Sequence, residues 1–246
     1  MTPCQGNNAL TCCFRSGDAL RSRSVSRVVL SGVLDIEALP ARMVADCERE
    51  SSLQLDLQPG DVEALSLARA RARWPDYRRC VQAVSSWADA LGLTGAIDDS
   101  DAALMVCRGA RYHHDGAQYG GSAFCNLFVG DDKGLDLHFS STGQRIALIR
   151  GTVVLFDTGQ PHAVIQRASS GFEVSDFGPE RDCTLLFLSW ELPIAYAPVA
   201  RALQIAFDHD AASAWQMDEE QVWRNGAVAD LCPATGAWRS ARRLSD

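Results

Sequence analysis

From Gly95 onward the chain is a succession of short apolar runs, each long enough for one strand and each closed by turn residues. Ala102 to Val106, Ala123 to Val129, Leu135 to Phe139, Arg145 to Leu148, Thr152 to Phe156, His162 to Gln166 and Cys183 to Trp190 are such runs. Gly120-Gly121, Gly130-Asp131-Asp132-Lys133-Gly134 and Ser141-Thr142-Gly143 separate them. Many strands at this spacing argue against a parallel sheet with crossover helices and for a sandwich or barrel. The preceding part reads differently. After a short strand at Val28-Val29-Leu30, a helix is expected from Asp35 through Cys47, a second from Asp61 to Trp74 and a clearer third from Tyr77 to Leu91, with Gly92 at its stop. The fold class is therefore α+β, with N-terminal helices flanking a sheet. At 246 residues and 47% hydrophobic content the chain suffices for one domain with a substantial core. A helix from Val199 to Phe207 and a hairpin about Asn225-Gly226 are expected in a C-terminal extension.

Residues 1–26 are rich in Ser, Arg and Asn and poor in large apolar side chains, and read as a disordered tail or the product of an early start codon. Residues 27–246 then form the single domain. The formal charge of −8 and pI near 5.1 give no broad field for phosphate backbones, so nucleic acid is not an expected partner. No apolar run reaches the roughly 18–20 residues of a membrane span. The nine cysteines lack metal-finger spacing and read as buried reduced thiols of a cytoplasmic protein.

Chemistry concentrates in His113-His114-Asp115 and His162. Side chains two residues apart on an extended strand end share a face, which pairs His113 with Asp115 and turns His114 away. His162 follows the run Thr152–Phe156 and the turn Asp157-Thr158-Gly159-Gln160-Pro161, which brings the chain back antiparallel. Two imidazoles and one carboxylate are a facial donor set that holds Fe(II) and leaves the opposite positions open. A zinc hydrolase is disfavoured, because neither an H-E-x-x-H helix nor paired cysteines are present.

Beyond the triad, an ordered series follows: Phe124-Cys125-Asn126-Leu127-Phe128, Gly134-Leu135-Asp136-Leu137-His138-Phe139, and Gly151 to Phe156 leading into Pro161-His162-Ala163-Val164. Together with His113-x-Asp115 it resembles the double-stranded β-helix, a jelly-roll or cupin-like barrel, of the non-haem Fe(II), 2-oxoglutarate-dependent oxygenases such as the prolyl hydroxylases. The resemblance covers about residues 102–192. It implies His113, Asp115 and His162 as ligands of Fe(II), with 2-oxoglutarate and O2 as cosubstrates and C–H oxidation, chiefly hydroxylation, of a small molecule or amino acid. A protein substrate is the runner-up within the class. It also implies a basic residue near the start of the last barrel strand to grip the distal carboxylate. Arg181 fits, with Cys183 where many members have Ser, and Arg167 competes although alternation puts it opposite His162. Tyr112 either packs beside the site or binds cosubstrate, Asn126 is a donor to a 2-oxoglutarate carboxylate, and His138 is either a pocket group or a structural histidine. An intact Asp115 favours hydroxylation, desaturation or ring formation over halogenation. The alternative is a cupin-like metal-dependent enzyme or binding protein without 2-oxoglutarate. Gly151-x5-Asp157-x-Gly159-x2-His162 resembles the second cupin motif, but no H-x-H with a following Glu matches the first.

Overall fold

A computed structural model of the chain describes residues 10–53, 55–97, 102–178, 180–209, 219–225 and 227–239. It begins with strands β1 (Leu10–Ser16), β2 (Ala19–Ser24) and β3 (Val29–Val33), followed by helix α1 (Ala41–Leu53), strand β4 (Val62–Leu65) and helices α2 (Leu67–Arg71) and α3 (Tyr77–Ala90). The strand-rich part supplies β5 (Ala102–Cys107), β6 (Ala110–His113), β7 (Ser122–Phe128), β8 (Leu135–Phe139), β9 (Gln144–Ala147), β10 (Thr152–Asp157), β11 (His162–Gln166) and β12 (Leu185–Pro193). A short helix α4 (Ala197–Ala202) and strands β13 (Gln221–Arg224) and β14 (Ala227–Val228) complete the order. None of the helices is long and apolar enough to cross a membrane.

Two antiparallel sheets face one another. One has the order β3-β10-β7-β12-β5-β4, the other β6-β11-β8-β9. Between β5 and β12 the chain passes repeatedly from one sheet to the other, which is the winding of a double-stranded β-helix. Alternation along β12 assigns the faces: Leu185 and Phe187 join the core between the sheets, whereas Leu186, Leu188 and Trp190 join the core beneath the helices. That second core takes Val84 and Ala88 from α3 and Met43 and Cys47 from α1. As the order of helical and strand-like runs led one to expect, the helices flank the larger sheet.

Several boundaries differ from the sequence reading. Residues 61–74 do not form one helix: β4 pairs with β5 in register Leu65↔Leu104, and α2 begins only at Leu67. An open sheet edge offers backbone partners to whichever segment lies beside it, and that outweighs weak helical periodicity. Helix α1 starts at Ala41 rather than Asp35, because the residue before Pro40 is held out of the helical region while the Pro40 carbonyl accepts from Met43 and Val44. Helix α4 is correspondingly shorter than expected, whereas the hairpin about Asn225 is present as the β13–β14 pair.

The largest correction concerns residues 1–26. From Leu10 they are ordered: β1 pairs with β2 and with β13 in a separate sheet, and Arg23 is completely buried. Its guanidinium makes a two-pronged ion pair with Asp157, Nη1–Oδ2 at 2.7 Å and Nη2–Oδ1 at 2.8 Å, and donates through Nε to the Gly120 carbonyl at 2.7 Å. Asp157 accepts further bonds from the Ser26 and Gly159 amides, so the buried pair is well supplied with partners. Substituting Arg23 by Met strands a buried carboxylate and should cost about 3–5 kcal/mol. Urea unfolding of the two proteins measures this directly, and a loss below about 1 kcal/mol, the value of an exposed pair, would remove the structural role given to it.

Candidate metal centre

Strand β6 ends at His113, directly opposite His162, the first residue of β11; a register shift follows between His162 and Val164. The two rings lie 4.4 Å apart between centroids. Asp115 stands just past β6, its amide donating to the Thr158 carbonyl at 2.8 Å. Asp115 Oδ1 is 3.5 Å from His113 Nε2, and its Oδ2 is 3.5 Å from His162 Nε2. One donor atom from each of the three residues falls within 4.8 Å of the others.

Each imidazole is oriented by backbone. His113 Nδ1 is 2.6 Å from the Arg111 carbonyl and His162 Nδ1 is 2.9 Å from the Gln160 carbonyl. A carbonyl only accepts, so Nδ1 carries the proton in both rings and Nε2 presents its lone pair beside Asp115. Backbone-fixed tautomers of this kind are what metal-binding histidines require. Burial, followed by the neighbouring His113, lowers the His162 pKa to about 4, so the ring is neutral at pH 7. The donor set thus fits a divalent first-row metal.

The three residues open on a cavity of about 270 Å³ between the sheets. Phe124, Phe128, Phe156, Phe187, Leu137 and Val164 form much of its wall; Gln118, Tyr119, Asn126 and Ser189 are its other polar side chains. Asn126 lies opposite Ser189 across β7 and β12, and its buried Oδ1 has no hydrogen-bond partner. Tyr119 packs edge-on to Phe124 with ring centroids 5.1 Å apart. Sequence reasoning singled out Asn126 and missed Gln118, Tyr119 and Ser189. For Ser189 a signal existed, since it shares the parity of Leu185 and Phe187.

The remaining candidates lie elsewhere. Tyr112, adjacent to His113 and so on the opposite face of β6, bonds through its hydroxyl to His138 Nδ1 and through its amide to the Pro233 carbonyl. That pair is covered by the segment about Gly236 and does not line the cavity. His114 turns away as alternation requires, its Nε2 3.3 Å from the Ala229 carbonyl. Arg167 is held outside by Asp132 and Asp136, at 2.9 Å in each case. Arg181 sits in the loop before β12, exposed, with Nη1 3.3 Å from the Asp176 carbonyl. Neither arginine lines the cavity, which β11 reaches with His162 and Val164 and β12 with Phe187 and Ser189. No arginine or lysine is among the described residues that line the cavity.

No protein-family model matches the chain, and no curated protein matches it. Among solved structures, it is similar to a prolyl-4-hydroxylase from Pseudomonas putida, with 16% identity over 67% of this chain and 92% of that one and a TM-score of 0.38. A viral collagen prolyl hydroxylase from Paramecium Bursaria Chlorella virus-1 matches at 10% identity over 73% of this chain and 96% of that one, with a TM-score of 0.38. The non-heme alpha ketoglutarate dependent epimerase SnoN from nogalamycin biosynthesis matches at 15% identity over 67% and 78%, with a TM-score of 0.34.

The lowered pKa of His162 has a measurable consequence in metal-free protein. The unfolded ring, with a pKa near 6.5, takes up a proton that the folded ring resists until about pH 4. Unfolding therefore gains protons over that window, and folding stability should fall as pH drops from about 6.5 towards about 4. Chemical denaturation at several pH values, repeated with His162→Asn, tests it: an unchanged slope in the variant would assign the acid sensitivity to other groups.

Proposed function

We propose that the protein is a non-haem iron oxygenase that couples decarboxylation of a 2-oxo acid to oxidation of a C–H bond, chiefly hydroxylation. The carrying observation is the convergence of His113, Asp115 and His162 at the mouth of a barrel cavity, with both imidazole Nε2 atoms turned towards one carboxylate. The motif series resembles that of the 2-oxoglutarate-dependent class, which makes 2-oxoglutarate the co-substrate the sequence implies. Fe(II) held by the three residues would supply O2 activation, one oxygen atom ending in the carboxylate left by the 2-oxo acid and the other in the substrate hydroxyl, with CO2 released.

The chain's own residues do the rest. The Arg111 and Gln160 carbonyls fix the two rings, and the Thr158 carbonyl fixes the backbone of Asp115, so the donors stand ready before any ligand arrives. The phenyl rings of Phe124 and Phe156 exclude water from the space beside them and orient an apolar substrate portion by shape. Such a wall suits a small molecule or an apolar amino acid side chain. Cys47, Cys80, Cys107 and Cys125 are buried thiols, as a reducing, cytoplasmic setting would have them.

Anaerobic addition of Fe(II) and then 2-oxo acid to metal-free protein should produce the visible charge-transfer absorption of an iron-chelated 2-oxo acid, and His162→Ala should abolish it. Iron uptake without any response to a 2-oxo acid, and without 2-oxo-acid-dependent O2 consumption, would favour a cupin-like metal enzyme instead.

A further inference from the structure

Along β11 away from His162 the next residue facing the cavity is Val164, flanked by Leu137 on β8 and Ala110 on β6. Across the barrel the rings of Phe128 and Phe187 stack at 5.1 Å. Leu185, the next inward residue of β12, is buried but already lies outside the lining. Beyond it the barrel is closed by Phe177, whose ring packs on Gly109 in a position that leaves no room for a Cβ. The cavity thus runs from a charged mouth to a hydrocarbon end.

Charge balance decides what such a cavity accepts. A divalent metal with one ligating carboxylate, Asp115, retains a single positive charge. A chelating 2-oxo carboxylate cancels it. A second carboxylate at the far end of the ligand finds no lysine or arginine among the described lining residues, and an unpaired carboxylate against phenyl rings is strongly disfavoured. The arginines about Phe177 are engaged outside the cavity: Arg108 donates to the Phe177 and Gly178 carbonyls, Arg181 to that of Asp176, and Arg111 lies over the ring of Phe172.

Resting on the oxygenase reading, we propose that the chelating co-substrate favoured by this site is a 2-oxo acid with one carboxylate and an uncharged apolar side chain, seated against Phe128 and Phe187, in preference to a dicarboxylic one. The specificity-determining position is Phe187, which occupies the inward site of the last barrel strand where a cation would serve a second carboxylate.

The test titrates anaerobic Fe(II)-loaded protein with 2-oxoglutarate, 4-methyl-2-oxopentanoate and phenylpyruvate, reading dissociation constants from the charge-transfer absorption. The two apolar acids should bind at least about tenfold tighter than 2-oxoglutarate, the ratio set by 1.4 kcal/mol of discrimination. Arg181→Leu should leave all three constants unchanged, and Phe187→Arg should reverse the order. Tighter binding of 2-oxoglutarate by the unaltered protein, weakened by Arg181→Leu, overturns the inference and leaves the oxygenase reading standing. Iron that binds but responds to none of the three acids overturns both. Should Phe187→Arg fail to fold, the ligand series on the unaltered protein and on Arg181→Leu decides the matter.

Discussion

The buried pair between Arg23 and Asp157 is the joint on which the site depends. Asp157 ends β10 and begins the turn that delivers His162; its carboxylate is gripped by Arg23 on one side and by the Ser26 and Gly159 amides on the other. The next residue, Thr158, accepts from the Asp115 amide through its carbonyl, and its single hydroxyl proton is shared between the Tyr119 and Ser122 carbonyls at 2.7 and 2.9 Å. Two residues on, Gln160 holds the His162 ring. Two of the three donors, Asp115 and His162, are therefore referred to one turn that is fixed by a charge pair sealed from water, and His113 stands in register with His162 with its ring set by the Arg111 carbonyl. In a low-dielectric setting such a pair strongly disfavours any geometry that separates its members, whatever its net contribution to stability.

Much of the barrel was legible because a strand buried on at least one face writes itself as a short apolar run. The triad was legible because H-x-D needs only local alternation and because the turn before His162 is spelled out in Asp, Gly and Pro. The first strands were not legible. β1 and β2 form a local hairpin, but the partner that places it lies far off in sequence, as in Leu10↔Arg224, and nothing local distinguishes an arginine that will be buried against Asp157 from one left in solvent. The region of β4 failed for a related reason: Val62 to Leu65 adopts a strand because β5 lies beside it, a fact of the assembled sheet.

Arg181 illustrates a subtler limit. The motif R-x-C before an apolar strand matches the family pattern, yet β12 begins only at Leu185 and the intervening residues form a loop, so parity cannot be carried back to residue 181. Arg167, the competing candidate, lies just past β11, where ion pairs with Asp132 and Asp136 engage it outside the cavity. Pattern identifies which side chains share a face within a strand; it does not say where the strand starts.

The pairing of β1 with β13 joins in one sheet segments that lie on either side of the barrel in the sequence. β1 and β2 precede every barrel strand in the sequence, whereas the strand that pairs with β1 on its other side follows all of them. Contacts of such long sequence separation form late and slow the approach to the native state. The barrel strands alone therefore do not complete the setting of the site: Arg23, carried on β2, is braced by a sheet in which the second partner of β1 lies beyond the last barrel strand.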